Sequence, residues 1–312
     1  MNDWALAIDV GGTKLAAGRV RTDGSVQVRA LRPTPATPDG EEVWAALMSL
    51  VSDVIAGDEP DRVGVGCGGP MRWPVGEVSP LNLPAWRDFP LRERLRERFP
   101  QALVRVHNDA VAMAVGEHWR GAGRGSRHFL GMVVSTGVGG GLVLEDRIVN
   151  GRTGNAGHVG HVVVDADGPP CACGGHGCLE AVARGPAVVA WAREQGWTSA
   201  QSDFSGAALA QSARGGDAIA VAALARAGHA VGVGLASVAA TLDLDAIAVG
   251  GGLAQAGDFL FGPARAAFVR HAQLGFTRDC RISAAELGGE AGLVGAAAFV
   301  LGPDHYWPAG AD

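Results

Sequence analysis

Several features that would place this chain in other protein classes are missing from its sequence. Of 312 residues, 19% are charged and the net charge is −6, so the chain has no excess of basic residues for a nucleic-acid surface. We find no uninterrupted apolar run of membrane-spanning length, and no basic and apolar regions typical of a signal peptide. The sequence therefore predicts a cytoplasmic protein that binds neither nucleic acid nor membrane.

Cysteine is also scarce, with five residues, an odd number that does not suit a disulfide framework. Cys67 and Cys280 stand alone and are expected to be buried as small apolar side chains. The other three are Cys171, Cys173 and Cys178, and His161 precedes them. Three thiolates and one imidazole are a usual tetrahedral zinc set, so the sequence predicts a zinc site. His176, inside the same loop, is a rival ligand to His161.

Glycine, in contrast, is abundant at 48 residues and clusters after apolar runs. One such turn follows Asp9 and comprises Gly11, Gly12, Thr13 and Lys14. A second turn, Ser135 to Gly141, repeats this plan with Thr136, Gly137 and Gly139, and a third run comprises Gly250, Gly251 and Gly252. Consecutive glycines let backbone N–H groups approach a phosphate, although a glycine turn alone is only a hairpin.

The first two turns are neither a Walker A loop nor a dinucleotide fingerprint, because a strand and not a helix follows each. Their matched positions indicate two copies of one structural unit. Together the three runs predict nucleotide binding, with Asp9 holding Mg²⁺ through water.

Polar residues that follow apolar runs are the remaining candidates. Asn108-Asp109 ends a predicted strand at 103–106 and begins a helix at 110–119, so it is either a helix cap or a substrate-binding group with a general base. His158 lies three residues before His161, which favours a role in a pocket. Glu180 follows the cysteines and is equally suited to the start of a helix.

Hydrophobic periodicity predicts an α/β protein of two domains. Helices are expected at 42–55, 91–99, 217–242 and 292–301, and strands at 4–10, 62–66, 129–134 and 245–249. A glycine- and arginine-rich break at 121–127 places the boundary between a small N-terminal domain, 1–119, and a large domain with the zinc site, 120–299.

Taken together, these motifs resemble the ROK family of sugar kinases and repressors, within the actin/hexokinase-like ATPase superfamily. The resemblance covers nearly the whole chain and rests on the two glycine turns, Asn108-Asp109, Gly157-x-x-Gly-His161 and the cysteine run through Glu180. It implies a two-domain α/β fold with ATP and sugar in the cleft between the domains. It also implies that the last helix packs on the small domain, so that 300–312 belong to it.

The resemblance further implies the role of each candidate residue. Asp109 is the expected base that activates the sugar 6-hydroxyl, and Asn108, His161 and Glu180 are expected to bind sugar hydroxyls. Gly68 and Gly69 are expected to line the sugar site, with Asn82 near it. The implied cofactors are ATP, Mg²⁺ and Zn²⁺, and the family expectation is a homodimer.

One position departs from the glucokinases of this family. They carry Glu-x-Gly-His, whereas this chain has His158 in place of the glutamate, as in bacterial N-acetylmannosamine kinases. Since an imidazole cannot replace a carboxylate that accepts from two hydroxyls, we expect a different choice at sugar C2, favouring an amino or N-acyl sugar over glucose.

Two functions other than catalysis stay open, a repressor and a sugar-binding protein, and polyphosphate stays open as the phosphoryl donor. A ROK repressor carries a helix-turn-helix domain before the first glycine turn, whereas eight residues precede Asp9. A non-catalytic sugar-binding protein would not need the catalytic positions, all of which are present.

Overall fold

Apolar strands near the start of the chain build the first of two five-stranded sheets. The computed structural model describes residues 2–199, 202–308 and 310–311. The strands in chain order are β1 (Trp4–Val10), β2 (Lys14–Arg21), β3 (Val26–Pro33), β4 (Arg62–Cys67), β5 (Met71–Arg72), β6 (Glu77–Val78) and β7 (Leu103–Asn108). The sheet order is β3-β2-β1-β4-β7, and β5 pairs with β6 separately. β1 and β2 form the predicted antiparallel hairpin, whereas β1, β4 and β7 run parallel.

Helices cover both faces of this sheet. They are α1 (Gly40–Ile55), α2 (Leu91–Arg98), α3 (Asp109–Arg120) and, from the end of the chain, α9 (Ala291–Leu301). One core joins apolar side chains of α1 and α2 to the strands, and a second joins Leu293, Ala296 and Ala297 of α9 to Ala7, Ala16 and Val20. Glycines let α9 pack closely, because a Cβ on Gly64 of β4 would clash with the backbone of Ala296, and a Cβ on Gly295 would clash with the backbone of Ala112 in α3.

The second sheet repeats the strand order of the first. Its strands are β8 (His128–Val134), β9 (Val138–Leu144), β10 (Arg147–Ile148), β11 (Ala246–Gly250) and β12 (Arg281–Ala284), in the order β10-β9-β8-β11-β12. Its helices are α4 (Leu179–Ala183), α5 (Gly185–Glu194), α6 (Gly206–Arg214), α7 (Ala218–Leu242) and α8 (Asp258–His271). The matched glycine turns thus belong to matched strand pairs.

The long helix α7 is the one described helix that is long and apolar enough to cross a membrane by length and composition alone. More than half of its most apolar window is buried inside the protein, as in a core helix. Gly228 and Gly232 let it approach the backbone of α8 closely. Arg226 and His229 lie within this window, so it is not an uninterrupted apolar run.

By their contacts, residues group into two units. One comprises Met1–Arg127, Gly141–Gly157 and Glu286–Asp312, and the other His128–Gly140 and His158–Ala285. The domains expected at 1–119 with 300–312, and at 120–299, stay predictions. The contact grouping differs from them at 120–127, 141–157 and 286–299, and residues 1, 200, 201, 309 and 312 lie outside the described part.

Candidate active site and metal centre

Three parallel strands of the first unit end side by side. Val10 of β1 is level with Cys67 of β4, which is level with Asn108 of β7. The backbone N–H of Gly68 donates to the carbonyl of Val10 (3.2 Å), so the turn after β4 stays on the end of β1. Ligands of α/β proteins commonly bind at the carboxyl ends of such strands. The sheet thereby brings Asp9, Gly68 and Asp109 to one edge.

Asp109 is the first residue of α3, and Asn108 caps that helix. The Oδ1 atom of Asn108 accepts from the backbone N–H groups of Ala110 (2.9 Å) and Val111 (3.4 Å), as in an N-cap, which leaves its amide N–H₂ group for another partner. Asp109 Oδ1 accepts from Ala110 N–H (2.8 Å). Burial raises the pKa of Asp109, opposed by this backbone hydrogen bond. Its other oxygen, Oδ2, faces Gly68, where a Cβ would lie 3.8 Å away.

Asp9 is the second carboxylate at this edge. Burial, followed by the charge of Asp109, raises the pKa of Asp9 to about 7, while the charges of Lys14 and Arg29 oppose that rise. The first turn of α9 meets it, since a Cβ on Gly292 would lie 2.8 Å from Asp9 Oδ2. A carboxylate beside a helix start and a lysine is suited to a hydrated cation and its phosphate ligand.

The first glycine turn is held by its own backbone and by Thr34. Gly11 N–H donates to the carbonyl of Lys14 (3.0 Å), and the Thr34 hydroxyl donates to the carbonyl of Gly11 (2.7 Å). Gly12 is exposed, and any Cβ on it would clash with the backbone of Asn82. Glycine is therefore required where the segment that carries Asn82 crosses the turn.

The second glycine turn, in the other unit, is held by Glu180. Glu180 lies in the first turn of α4, and its Oε2 atom accepts from the backbone N–H of Val138 (2.8 Å). A Cβ on Gly137 would lie 2.9 Å from the same oxygen. Both suggested roles of Glu180 therefore have a physical basis, because it starts a helix and keeps a second oxygen for a ligand.

The third glycine run lies beside the second turn because β11 pairs in parallel with β8. Gly251 has φ +93° and passes so close to Val134 that a Cβ would clash with its backbone. Gly252 faces the Ser135 hydroxyl, 3.6 Å from where its Cβ would be. Two of the three predicted phosphate-binding runs are therefore neighbours within this unit.

The predicted zinc ligands form one cluster. One ligand atom from each of His161, Cys171, Cys173 and Cys178 lies within 4.8 Å of the others. Cys173 Sγ and Cys178 Sγ are 3.7 Å apart, close to the spacing of about 3.8 Å that tetrahedral Zn–S bonds of about 2.3 Å require. The rival ligand, His176, is exposed and lies outside the cluster. The donor set and its geometry fit zinc.

Local backbone geometry builds this cluster. Cys171 N–H donates to the carbonyl of Gly175 (2.8 Å), which closes the loop between the sulfurs. Burial raises the pKa of Cys178 to about 12, so the thiol stays protonated at neutral pH unless a cation stabilises the thiolate.

His161 meets the cysteines with one ring nitrogen only. Its Nδ1 atom is 3.8 Å from Cys171 Sγ, which leaves Nε2 for another partner. His158 is exposed, with its ring centroid 6.3 Å from that of His161. Partial desolvation of the ring lowers the pKa of His158, as does the nearby His161. The two imidazoles thus flank one short turn, Val159–His161.

The predicted site residues fall into two groups, one in each unit. The first unit contains Asp9, Gly11, Gly12, Thr13, Lys14, Gly68, Gly69, Asn82, Asn108 and Asp109. The second contains Thr136, Gly137, Gly139, His158, His161, Cys171, Cys173, Cys178, Glu180 and the run 250–252. Sequence reasoning assigned no role to His107 or Asn150, which are hydrogen-bonded to each other (2.7 Å). The sequence signal that could have found His107 is its position at the end of an apolar strand.

The chain is similar to known proteins over nearly its whole length. The sequence model of the ROK family matches residues 5–302. A glucokinase from Thermotoga maritima is 33% identical over 308 residues, covering 95% of this chain and 96% of that protein. An N-acetylmannosamine kinase from Citrobacter koseri is 35% identical over 301 residues, with 95% and 98% covered.

A solved structure is similar over the same length. The ROK family glucokinase from Streptomyces griseus, in complex with glucose and AMPPNP, has a TM-score of 0.83 and 33% identity, covering 94% of this chain and 98% of that one. The α/β fold of the actin/hexokinase-like class that the sequence predicted is confirmed.

Proposed function

This chain belongs to the ROK family, and we propose that it is a kinase which transfers the γ-phosphoryl group of ATP to the 6-hydroxyl of a hexose or hexosamine. One observation carries the proposal. Asp109, a carboxylate whose pKa is raised by burial, starts a helix at the strand edge that also presents Asp9 and Gly68. A positioned base of this kind is what phosphoryl transfer to an alcohol requires.

In the proposed reaction, Asp109 accepts the proton of the sugar 6-hydroxyl as its oxygen attacks the γ-phosphorus. The new O–P bond forms while the bond from the γ-phosphorus to the β–γ bridging oxygen breaks, and ADP leaves. The raised pKa makes Asp109 a stronger proton acceptor than an exposed aspartate. The free amide N–H₂ group of Asn108 is suited to donating to a sugar hydroxyl.

The glycine turns are the proposed donor site. The backbone N–H groups of Gly12 and Thr13 and those around Gly137 are suited to phosphate oxygens, and Lys14 supplies positive charge. Asp9 would hold Mg²⁺ through water, and the ion would neutralise charge on the phosphates. The glucokinase from Streptomyces griseus binds an ATP analogue, which supports ATP over polyphosphate as the donor here.

Zinc has a positioning role in this proposal. Held by Cys171, Cys173, Cys178 and His161 Nδ1, the ion would fix the imidazole so that Nε2 is offered to the sugar. Glu180, already oriented by Val138 N–H, would accept from a hydroxyl with its second oxygen.

His158 is the proposed determinant of sugar choice. A neutral imidazole offers one donor and one acceptor, whereas a carboxylate offers acceptors only. An N-acyl group also has one donor and one acceptor, so we propose that His158 favours an amino or N-acyl sugar over glucose. The similarity to N-acetylmannosamine kinases supports this choice, and the similarity to glucokinases keeps glucose as the alternative.

The first experiment is ADP release with ATP and Mg²⁺ across N-acetylmannosamine, N-acetylglucosamine, glucose, glucosamine and kanosamine, with polyphosphate replacing ATP in a parallel series. Preference for an amino or N-acyl sugar supports the role of His158, and preference for glucose refutes it. Absence of turnover with every sugar and both donors refutes the kinase and favours a binding protein.

The second experiment is the variant Asp109→Asn. The amide oxygen can still accept from Ala110 N–H, so the variant should fold. We expect turnover to fall by at least about 10²-fold while sugar affinity stays within a few fold, because the variant removes only the base. Unchanged turnover would exclude Asp109 as the base.

A further inference from the structure

His107, the residue before Asn108-Asp109, is buried and uses both ring nitrogens. Its Nδ1 atom accepts from the backbone N–H of Asn108 (2.8 Å), and its Nε2 atom is 2.7 Å from Asn150 Oδ1. Because a backbone N–H can only donate, Nδ1 carries no proton, and Nε2–H donates to Asn150. Burial lowers the pKa of His107 to about 4, which agrees with a neutral ring.

Three aromatic side chains hold the plane of this ring. The centroids of Trp73 and Phe299 are each 5.8 Å from that of His107, and Trp307 meets it edge-on at 6.3 Å. They come from three separate parts of the first unit: the turn after β5, helix α9 and the segment after α9. These elements therefore pack around the ring from several directions.

Asn150 begins the segment that leads along the chain to Gly157. That segment is anchored on the same unit, since Gly154 lies against Trp73 so closely that a Cβ would clash, and the Asn155 side chain donates to the carbonyl of Met71 (3.4 Å). The next residue after this segment is His158. His107 thus joins the turn of Asp109 to the start of the segment that precedes the two histidines.

We propose that His107 is a positioning residue: its imidazole, oriented by Asn150, fixes the backbone at Asn108 and so aims Asp109. Nδ1 accepts from the backbone N–H of Asn108. The Asn108 side chain caps α3, and Asp109 is the first residue of that helix. No apolar residue can supply this link, because an acceptor and a donor are needed on opposite sides of one ring. The proposal rests on the proposed kinase function, in which Asp109 is the base.

The test uses four variants of the full-length protein. His107→Phe keeps a ring and removes both hydrogen bonds, whereas His107→Asn keeps an acceptor near the place of Nδ1. Asn150→Ala removes the group that orients the ring. Trp307→Phe is the matched control, because it loosens the packing around the ring and leaves both hydrogen bonds in place.

We measure kcat, the sugar KM and the unfolding midpoint of each variant. Misplacing a catalytic group by about 1 Å costs up to about 10²-fold, so we expect kcat to fall about 10- to 100-fold in His107→Phe with sugar KM within about threefold. His107→Asn should recover part of that loss and Asn150→Ala should show a smaller one. Trp307→Phe should lower the midpoint and keep kcat within about twofold.

The outcomes separate the two proposals. Wild-type kcat in His107→Phe, in a preparation whose wild type is active, overturns the positioning role and leaves the kinase standing. Equal losses of kcat in His107→Phe and Trp307→Phe overturn it too, because they indicate a general packing effect. If the wild type turns over no sugar, the proposed function fails and this role fails with it.

Discussion

Replacing Asp9 by asparagine should make the ligand-free protein more stable and, if the proposed function holds, less active. Burial and the charge of Asp109 raise the pKa of Asp9 from 3.8 to about 7 on folding. Between those two pH values the folded state binds more protons than the unfolded state, so stability falls as pH rises through this window. Asparagine resembles the protonated acid and removes that cost.

The size of the effect follows from the two pKa values. A pKa that rises from 3.8 to about 7 costs the ionised carboxylate about 4 kcal/mol once the pH is well above 7, and about 2 kcal/mol of this is already present at pH 5. Water reaches the partly buried side chain, so both values are upper bounds. A smaller shift lowers the value at pH 8 more than the value at pH 5, so the expectation is a gain in stability that is larger at pH 8 than at pH 5.

The assay is urea unfolding of wild type and Asp9→Asn at pH 5 and pH 8, without Mg²⁺ or nucleotide, followed by tryptophan fluorescence. Asp279→Asn, at an exposed carboxylate, is the control and should change stability little at either pH. Turnover of Asp9→Asn with Mg²⁺ and ATP should fall, since the charge that costs stability is the one proposed to hold the cation. A gain in stability that is equal at both pH values, or absent at pH 8, refutes the reasoning.

Two further predictions concern the metal and the first glycine turn. Cys173→Ser should reduce bound zinc, measured by elemental analysis, from about one ion per chain to near zero, and should weaken sugar affinity about 10-fold or more. The control, Cys280→Ser, should keep its zinc. Full activity without zinc would show that the metal has no role in shaping the sugar site. Gly12→Ala should lower the free energy of unfolding, measured in urea, by about 1–3 kcal/mol and raise the KM of the substrates, because its Cβ clashes with Asn82. The control is Gly262→Ala in helix α8, whose new Cβ meets no atom within 4 Å and which should not lower stability, so equal effects at the two glycines would contradict the clash.

The zinc ligands illustrate what local sequence can predict. Cys171, Cys173 and Cys178 lie within one short loop, so their spacing alone restricts them to a common ion, and the structure brings all three together with His161. The choice of His161 over His176 depended on how the loop folds back, a weaker argument; the structure places His161 among the cysteines, whereas His176 is exposed outside the cluster. The buried positions of Cys67 and Cys280 were likewise predictable, because an isolated thiol outside a ligand cluster usually behaves as a small apolar group.

Asn108 and Glu180 show where sequence reasoning stopped. For each, a helix-end role and a ligand-binding role were alternatives, and the structure shows that the helix-end role uses only part of the side chain. Asn108 keeps its amide N–H₂ group, and Glu180 keeps one oxygen. No pattern of residue types can reveal this division, because it depends on which backbone N–H groups lie within hydrogen-bond distance.

The sequence by itself determined the elements and motifs that depend on neighbours along the chain: the two β-hairpins with glycine turns, the helix after Asn108 and the cysteine loop. Residue spacing and backbone preferences act over a few positions, so these could be predicted directly. Only the tertiary structure decided that Asp9 and Asp109 share one sheet edge, and that His107 meets Asn150. Those pairs lie far apart in sequence, and the order of parallel strands and the packing of helices on them bring their side chains together.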